Sequence, residues 1–313
     1  VGSINQDAIF LTILGPTGVG KTELARQITK QVDNCVILSA DAMAVYKGMD
    51  IGTAKLRDPN CEVYGVDLVF SYQEFNLFLY KSYCSHVLNQ LASQKKKVIL
   101  CGGSALYIRS IVDDLDLPGK YPEERRKLEI MLASGATDLE TLYQRLKEVD
   151  YKAAQRIQPQ NARRIIRALE VIEGSKRPFS SYGQGLKDHP PKSYKIIGLK
   201  MEQELLKQVI VKRLKNQIEQ GFVTEVKNIL NSGGFSRTSA IAHGYLEIAN
   251  QLTEKGHVDI DVVIEQTLKR ILSFTKRQMQ WFRRDPRVIW FDVTPETNFQ
   301  TLAQDIVAMI YHK

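Results

Sequence analysis

Eight residues near the start of the chain carry its most recognisable chemistry. Gly15-Pro16-Thr17-Gly18-Val19-Gly20-Lys21-Thr22 fits the phosphate-loop pattern G-x-x-x-x-G-K-[ST] at every position. Its glycines let the backbone curl until successive N–H groups face one anion. Lys21 supplies a point charge, and Thr22 a hydroxyl suited to Mg²⁺. The pattern does not say which phosphate compound is held. Asp41 is a second chemical position, because it follows the apolar run Cys35-Val36-Ile37-Leu38. Ligands of open α/β sheets gather at the carboxyl ends of strands, so Asp41 is expected at the same crevice as the phosphate loop. There it could bind Mg²⁺ beside Thr22, take a proton from a nucleophile, or cap a helix. Ser104, after Gly102-Gly103, could donate a hydrogen bond to a phosphate or a leaving oxygen, or merely complete a turn.

Two basic clusters bear on the partner. Arg163, Arg164 and Arg167 lie close together, with Arg163 and Arg167 one helical turn apart. They make either a solvated face or a phosphate-backbone contact. From 262 to 284 the cations Lys269, Arg270, Lys276, Arg277, Arg283 and Arg284 are accompanied by one acid, Glu265. The two trios repeat every seven residues and so form slowly drifting stripes on a helix, with Trp281 and Phe282 among them. The 313-residue chain carries a formal charge of +8. That balance favours a polyanionic partner or serves solubility.

These residues need a scaffold. Residues 8–14, 34–40, 98–101, 194–200 and 287–293 are short apolar runs that predict strands. Several are apolar throughout, as strands buried on both faces are. Helical spacing is expected over 23–32, 77–91, 202–220, 222–230, 239–252, 261–284 and 296–311. Between 113 and 191 strand signals stop, and helices are expected from Pro122, Asp138 and about Asn161. The expected fold is α/β: a P-loop NTPase-like parallel sheet flanked by helices, built from residues 1–112 and 192–313, with an all-helical insertion domain at 113–191. Asp188-His189-Pro190-Pro191 marks a linker. Cys35, Cys61, Cys84 and Cys101 form no C-x-x-C pair and no zinc spacing with histidine, which predicts reduced thiols, a cytoplasmic location and no structural zinc. No apolar run approaches eighteen residues, so no membrane span is expected. The first seven residues do not read as a signal peptide, and the first three read as a cloning remnant.

Together the motifs resemble the tRNA dimethylallyltransferase family, also called tRNA isopentenyltransferase. The resemblance rests on Gly15-Pro16-Thr17-x-x-Gly20-Lys21-Thr22; Asp41 with Tyr46-Lys47-Gly48-Met49-Asp50-Ile51-Gly52-Thr53-Ala54-Lys55; Gly102-Gly103-Ser104-x-Leu106-Tyr107; Arg164-x-x-Arg167-Ala168-Leu169-Glu170-Val171; Gly221-Phe222-x-x-Glu225-Val226; Gly244-Tyr245-x-Glu247; and Thr275-Lys276-Arg277-Gln278-x-x-Trp281-Phe282-Arg283. These occur in family order over nearly the whole chain. The resemblance implies transfer of a dimethylallyl group from dimethylallyl diphosphate to N6 of the adenosine just 3′ of the tRNA anticodon. Gly15, Pro16, Thr17, Gly18, Val19, Gly20, Lys21 and Thr22 would hold the prenyl diphosphate in place of ATP, with Mg²⁺ on Thr22. Asp41 would be the general base. Arg213 would reach the diphosphate, and Ser104 would stand for the family's threonine near the bridging oxygen.

The same resemblance sets Asp41, Ala42, Met43, Ala44, Ser104, Arg125, Arg163, Arg164, Ile165, Ile166 and Arg167 against the anticodon stem-loop. Arg270, Lys276, Arg277, Gln278, Trp281 and Arg283 in the basic-aromatic block are expected to join them. An extruded adenine would enter a closed channel, and RNA shape with unpaired loop bases would carry recognition. A cytoplasmic monomer of the bacterial type, without a C-terminal zinc finger, is expected. Ala42 and Ala44 stand where the family has a small polar residue and a glutamine. Val63-Tyr64 replace paired histidines ahead of the kept Asp67, and Ala105 replaces a glycine-like position. Three rivals share the loop: a free adenine-nucleotide isopentenyltransferase of the cytokinin type, an ATP-dependent P-loop kinase, and a non-catalytic RNA-binding protein.

Overall fold

A strand apolar on both faces needs cover on both faces, and the chain supplies it with two layers of helices. The structure, a computed structural model, describes residues 4–182 and 189–311; the first three residues and Asp188 of the expected linker lie outside the described residues. In chain order the elements are β1 (Ile9–Leu14), α1 (Lys21–Thr29), β2 (Cys35–Ala40), β3 (Tyr46–Lys47), β4 (Val63–Tyr64), β5 (Val69–Phe70), α2 (Leu77–Ser93), β6 (Lys97–Gly102) and α3 (Ala105–Val112). Then come α4 (Pro122–Ala133), α5 (Leu139–Val149), α6 (Tyr151–Ala154) and α7 (Ala162–Ser175). The chain continues with β7 (Lys195–Lys200), α8 (Gln203–Glu219), α9 (Phe222–Asn231), α10 (Tyr245–Lys255), α11 (Ile260–Phe282), β8 (Val288–Asp292) and α12 (Phe299–Tyr311).

Six strands make one sheet in the order β4-β2-β6-β1-β7-β8, every neighbour parallel. β3 and β5 form a separate short pair. Strand period two sorts the side chains onto two faces. Leu11, Ile13, Ile37, Ile99, Ile197 and Leu199 pack in one cluster with Leu24, Ile28, Leu206, Ile210 and Ile306 of α1, α8 and α12. Val36, Leu38, Val98, Leu100 and Ile196 pack in the other with Tyr80, Leu88, Ile108, Val226 and Ile248 of α2, α3, α9 and α10. After β6 the chain crosses β1 to reach β7 on its other side. That reversal opens a crevice at the carboxyl ends of the central strands. At this edge a Cβ on Gly102 would stand 2.2 Å from the Ala40 carbonyl oxygen, so only glycine lets β6 close on β2 there.

Two compact units divide the chain, one formed by residues up to Val112 and from Pro190 onward, the other by Asp113–His189. The second has its own core of Leu128, Leu142, Leu146, Ile165 and Leu169. Its helices start on clear signals. Pro122 opens α4, the Asp138 carboxylate accepts from the Thr141 N–H at 2.7 Å, and Asn161 accepts from the Arg164 N–H at 3.1 Å.

Two boundaries differ from the spacing. A helix, α3, begins at Ala105, where a turn was an open reading. α10 begins at Tyr245 and not near residue 239, because Ser236 and Ser239 tie the preceding residues to Ser71 and to each other, and Gly244 takes a φ of 85°.

Candidate active site

The phosphate loop leaves the end of β1 and runs into α1 at Lys21, so its amides and the positive end of the helix dipole share one opening. Lys21 Nζ donates to the Pro16 carbonyl at 2.6 Å, folding its side chain back along the loop. The ammonium is enclosed. Burial lowers its pKa from 10.5 to about 8, against the raising influence of Cys101 and Asp41, and the Arg213 charge lowers it further. Burial also pushes the Cys101 thiol up to about 12, which keeps this neighbour uncharged. Thr22 is exposed at the first turn of α1, and its hydroxyl makes no hydrogen bond to another described residue.

Asp41 follows β2 and caps no helix. One carboxylate oxygen, Oδ1, accepts from the Met43 N–H at 2.8 Å in an Asx-type turn, which leaves Oδ2 without a protein partner. Ser104 Oγ accepts from the Ala42 N–H at 3.1 Å, tying the end of β6 to the Asp41 turn. Its own proton remains available to the space in front. Arg213 of α8 makes no hydrogen bond to the chain; burial lowers its pKa, opposed by Asp41 and then Tyr245. Among the described residues none supplies the guanidinium with an acceptor, so its donors are open to an anion from outside.

These groups meet in one cavity of about 1150 Å³. Lys21, Thr22, Asp41, Ser104 and Arg213 all line it, with Ala42, Met43, Ala44, Arg270, Arg277 and Trp281 around them. Glu225 of α9 had no assigned role in the sequence. It accepts from the N–H groups of Asp50, Ile51 and Gly52 at 2.9, 2.7 and 3.2 Å, and from the Tyr245 hydroxyl. Gln217 of α8 donates to the carbonyls of Ile51 and Gly52 at 2.6 and 3.1 Å. The same turn is therefore held from its donor side and its acceptor side. Nearby, Lys55 is fully buried, and its ammonium bonds Asp50 and Asp67, each at 2.7 Å. The block from Tyr46 to Lys55 is thus held rigidly, and its residues Gly52 to Lys55 form part of the cavity wall.

Several expected RNA contacts take other roles. Gln278 is 3 % exposed. It donates to the Gly103 carbonyl at 2.8 Å and accepts from the Thr17 N–H at 3.2 Å, so both ends of its amide are engaged in joining α11 to the phosphate loop. Arg270 is no free stripe cation; it pairs with the buried Glu247 and donates to the Ile241 carbonyl at 2.8 Å. In the helical unit Ile165 and Ile166 are 0 % and 5 % exposed and belong to its core, because the α7 periodicity turns them inward. Arg167 bonds Glu170 and the carbonyls of Pro118 and Gly119, and Arg125 pairs with Glu129 and Glu170. Arg163 and Arg164 stay exposed, as do Lys276, Arg277 and Trp281 on α11 and Arg283 at its C-cap. Among the described residues no group of three His, Cys, Asp or Glu side chains could hold a metal, and no helix is long and apolar enough to cross a membrane.

A model described as IPP transferase matches residues 44–285. The tRNA dimethylallyltransferase of Natranaerobius thermophilus is 37% identical, over 96% of this chain and 91% of its own length. That of Carboxydothermus hydrogenoformans is 37% identical over 92% and 93%. The crystal structure of the tRNA isopentenylpyrophosphate transferase of Bacillus halodurans is similar with a TM-score of 0.67 and 28% identity, covering 98% of each chain. A eukaryotic dimethylallyltransferase acting on tRNA shares the fold at a TM-score of 0.77 and 21% identity, over 96% of this chain and 78% of its own.

Proposed function

The chain belongs to the IPP transferase family, and from that premise we propose that it transfers a dimethylallyl group from dimethylallyl diphosphate to N6 of the adenosine 3′ of the anticodon in tRNA. The observation that carries the reading is the convergence of a phosphate loop, an acceptorless arginine and a half-free carboxylate on one cavity. The loop amides, Lys21 and Arg213 bind the diphosphate and stabilise the charge that grows on it as it leaves. The N6 amine attacks C1 of the dimethylallyl group, a C–N bond forms and the C1–O bond to diphosphate breaks. Asp41 Oδ2 takes the N6 proton. Ser104 donates its hydroxyl proton toward the oxygen being released.

Mg²⁺ fits the donor set. Thr22 offers one uncommitted hydroxyl, and no carboxylate cluster competes, as suits an ion that keeps waters and takes its other oxygens from phosphate. When bound it would neutralise part of the diphosphate charge. The exposed cations Lys276, Arg277 and Arg283 with Trp281 supply a surface for RNA phosphates and unpaired bases, and Arg163 and Arg164 of the helical unit are separate candidates for phosphate contact. Lys21, Asp41, Ser104 and Arg213 line one cavity within a single chain, so the proposed chemistry needs no residue of a second copy, and a monomer is the state proposed. The four free cysteines suit the reducing cytoplasm.

The test is incubation of the protein with labelled dimethylallyl diphosphate and either an unmodified anticodon stem-loop or AMP, with labelled ATP as a separate donor. Label on the stem-loop adenosine is expected. Label on AMP alone would make the enzyme a free-nucleotide transferase, and phosphoryl transfer from ATP would make it a kinase.

A further inference from the structure

We propose that His243 is a specificity-determining residue that hydrogen-bonds the acceptor purine. The inference rests on the prenyl-transfer reading above and deepens it.

His243 lines the same cavity as Asp41 and Ser104. It stands on a turn that the rest of the fold pins. Ala242 N–H donates to the Ser239 carbonyl at 3.0 Å, and Ser239 Oγ donates to the Ser71 carbonyl at 2.6 Å. Arg270 grips the Ile241 carbonyl, and the Gly244 N–H donates to Glu247 at 2.9 Å. The imidazole lies against Phe274 of α11 with ring centroids 5.2 Å apart. Its position is therefore set before any substrate arrives.

Within this rigid setting Nδ1 is closed off and bonds no described group, so the nitrogen able to meet a substrate in the cavity is Nε2, which also has no partner among the described residues. Buried polar groups are nearly always paired, and an orphan is a standing cost that a purely structural aromatic ring would avoid. The charged groups around the ring are Arg270, Arg277, Glu247 and Asp41. Burial first, and then Arg270, holds the imidazole neutral, with its pKa lowered to about 4. A neutral imidazole presents one N–H donor and one lone pair. Adenine matches it, since N6–H is a donor and N1 and N7 are acceptors. Ser39, Tyr107 and Ser273 also line the cavity with hydroxyls, but His243 is the imidazole among the lining residues. Ala42, Met43 and Ala44 bring no hydrogen-bonding side chain to the cavity. Gln217, Gln278 and Tyr245 line it too, but their polar atoms already bond backbone groups or Glu225.

The test compares wild type, His243→Phe and His243→Gln on an anticodon stem-loop carrying adenosine, 7-deazaadenosine or 1-deazaadenosine at the acceptor position. Melting temperature and diphosphate affinity are measured in parallel. Phenylalanine keeps the packing on Phe274 and removes both nitrogens. His243→Phe should lower kcat/KM on adenosine about ten- to a hundredfold, the loss expected for one missing hydrogen bond to a substrate, with diphosphate affinity unchanged. Glutamine should restore part of it. One of the deaza substrates should bring wild type down to the variant's level and cost the variant nothing more. His243→Phe matching wild type on adenosine, or losing equally on all three acceptors, overturns the inference. A wild type that prenylates no RNA removes the reaction and this inference together, whereas an active wild type matched by His243→Phe removes the inference alone.

Discussion

Replacing Gln278 with leucine separates the brace from the RNA contact suggested by its neighbours in sequence. The side chain makes two hydrogen bonds, to Gly103 O at 2.8 Å and from Thr17 N at 3.2 Å. Each is worth about 1 kcal/mol net, and a partner left unpaired in a dry site costs about 1–3 kcal/mol. Both orphaned groups border a cavity that water can enter, so the low end applies and the sum is about 2 kcal/mol. If that loss falls on the placement of the loop, diphosphate affinity drops roughly thirtyfold, since 1.4 kcal/mol is a factor of ten. Titration calorimetry with diphosphate reads this directly. Gly103→Ala provides a check from the other side, because its Cβ would stand 2.5 Å from Gln278 Nε2 and push the amide out of both bonds. The two variants should therefore be strongly non-additive in a double-mutant cycle. Wild-type diphosphate affinity in Gln278→Leu, with RNA affinity reduced, would refute the brace.

The remaining predictions concern the base, the loop lysine and the stripe. Asp41→Asn should cut turnover by about 10²–10⁴ if the carboxylate takes the proton, with RNA binding retained in a gel-shift assay; unchanged turnover removes it from the mechanism. Lys21 in the free protein loses its charge as pH rises through about 8, and a bound diphosphate favours the ammonium. Diphosphate binding should therefore take up a proton above that pH, and affinity should fall there by as much as tenfold per pH unit; calorimetry in buffers of differing ionisation enthalpy measures the uptake, and Lys21→Met should abolish it. Replacing Lys276 and Arg283 with alanine should flatten the salt dependence of RNA binding by about 0.7 per lost single-strand phosphate contact. Arg270→Met, by contrast, should show as a lower melting temperature, because it strands the buried Glu247.

Much of this arrangement is legible in local sequence. The apolar runs of β1, β2, β6 and β7 carry too few polar residues for a half-solvated strand, so a parallel sheet covered on both faces follows. The phosphate loop needs only its own glycines and the strand and helix around it. What escapes is whatever depends on partners far along the chain. Arg167 follows two exposed arginines on α7, and only the distant carbonyls of Pro118 and Gly119 decide that it is engaged within the helical unit. Arg270 and Arg277 look equivalent at a spacing of seven, yet one meets Glu247 across the fold and the other does not. His243 gives no local signal, since its orphaned nitrogen exists only once Phe274 and the pinned turn surround it.

The sheet order also fixes when this protein can first hold its ligand. β1 is made well before its neighbours in the sheet, Lys97–Gly102 and Lys195–Lys200. The brace on Thr17 comes from a residue 261 positions later. At about 5–20 residues per second, the interval is roughly 13–50 s of synthesis. The phosphate loop is thus made long before it is braced, and a nascent chain stalled before α11 would carry it unbraced.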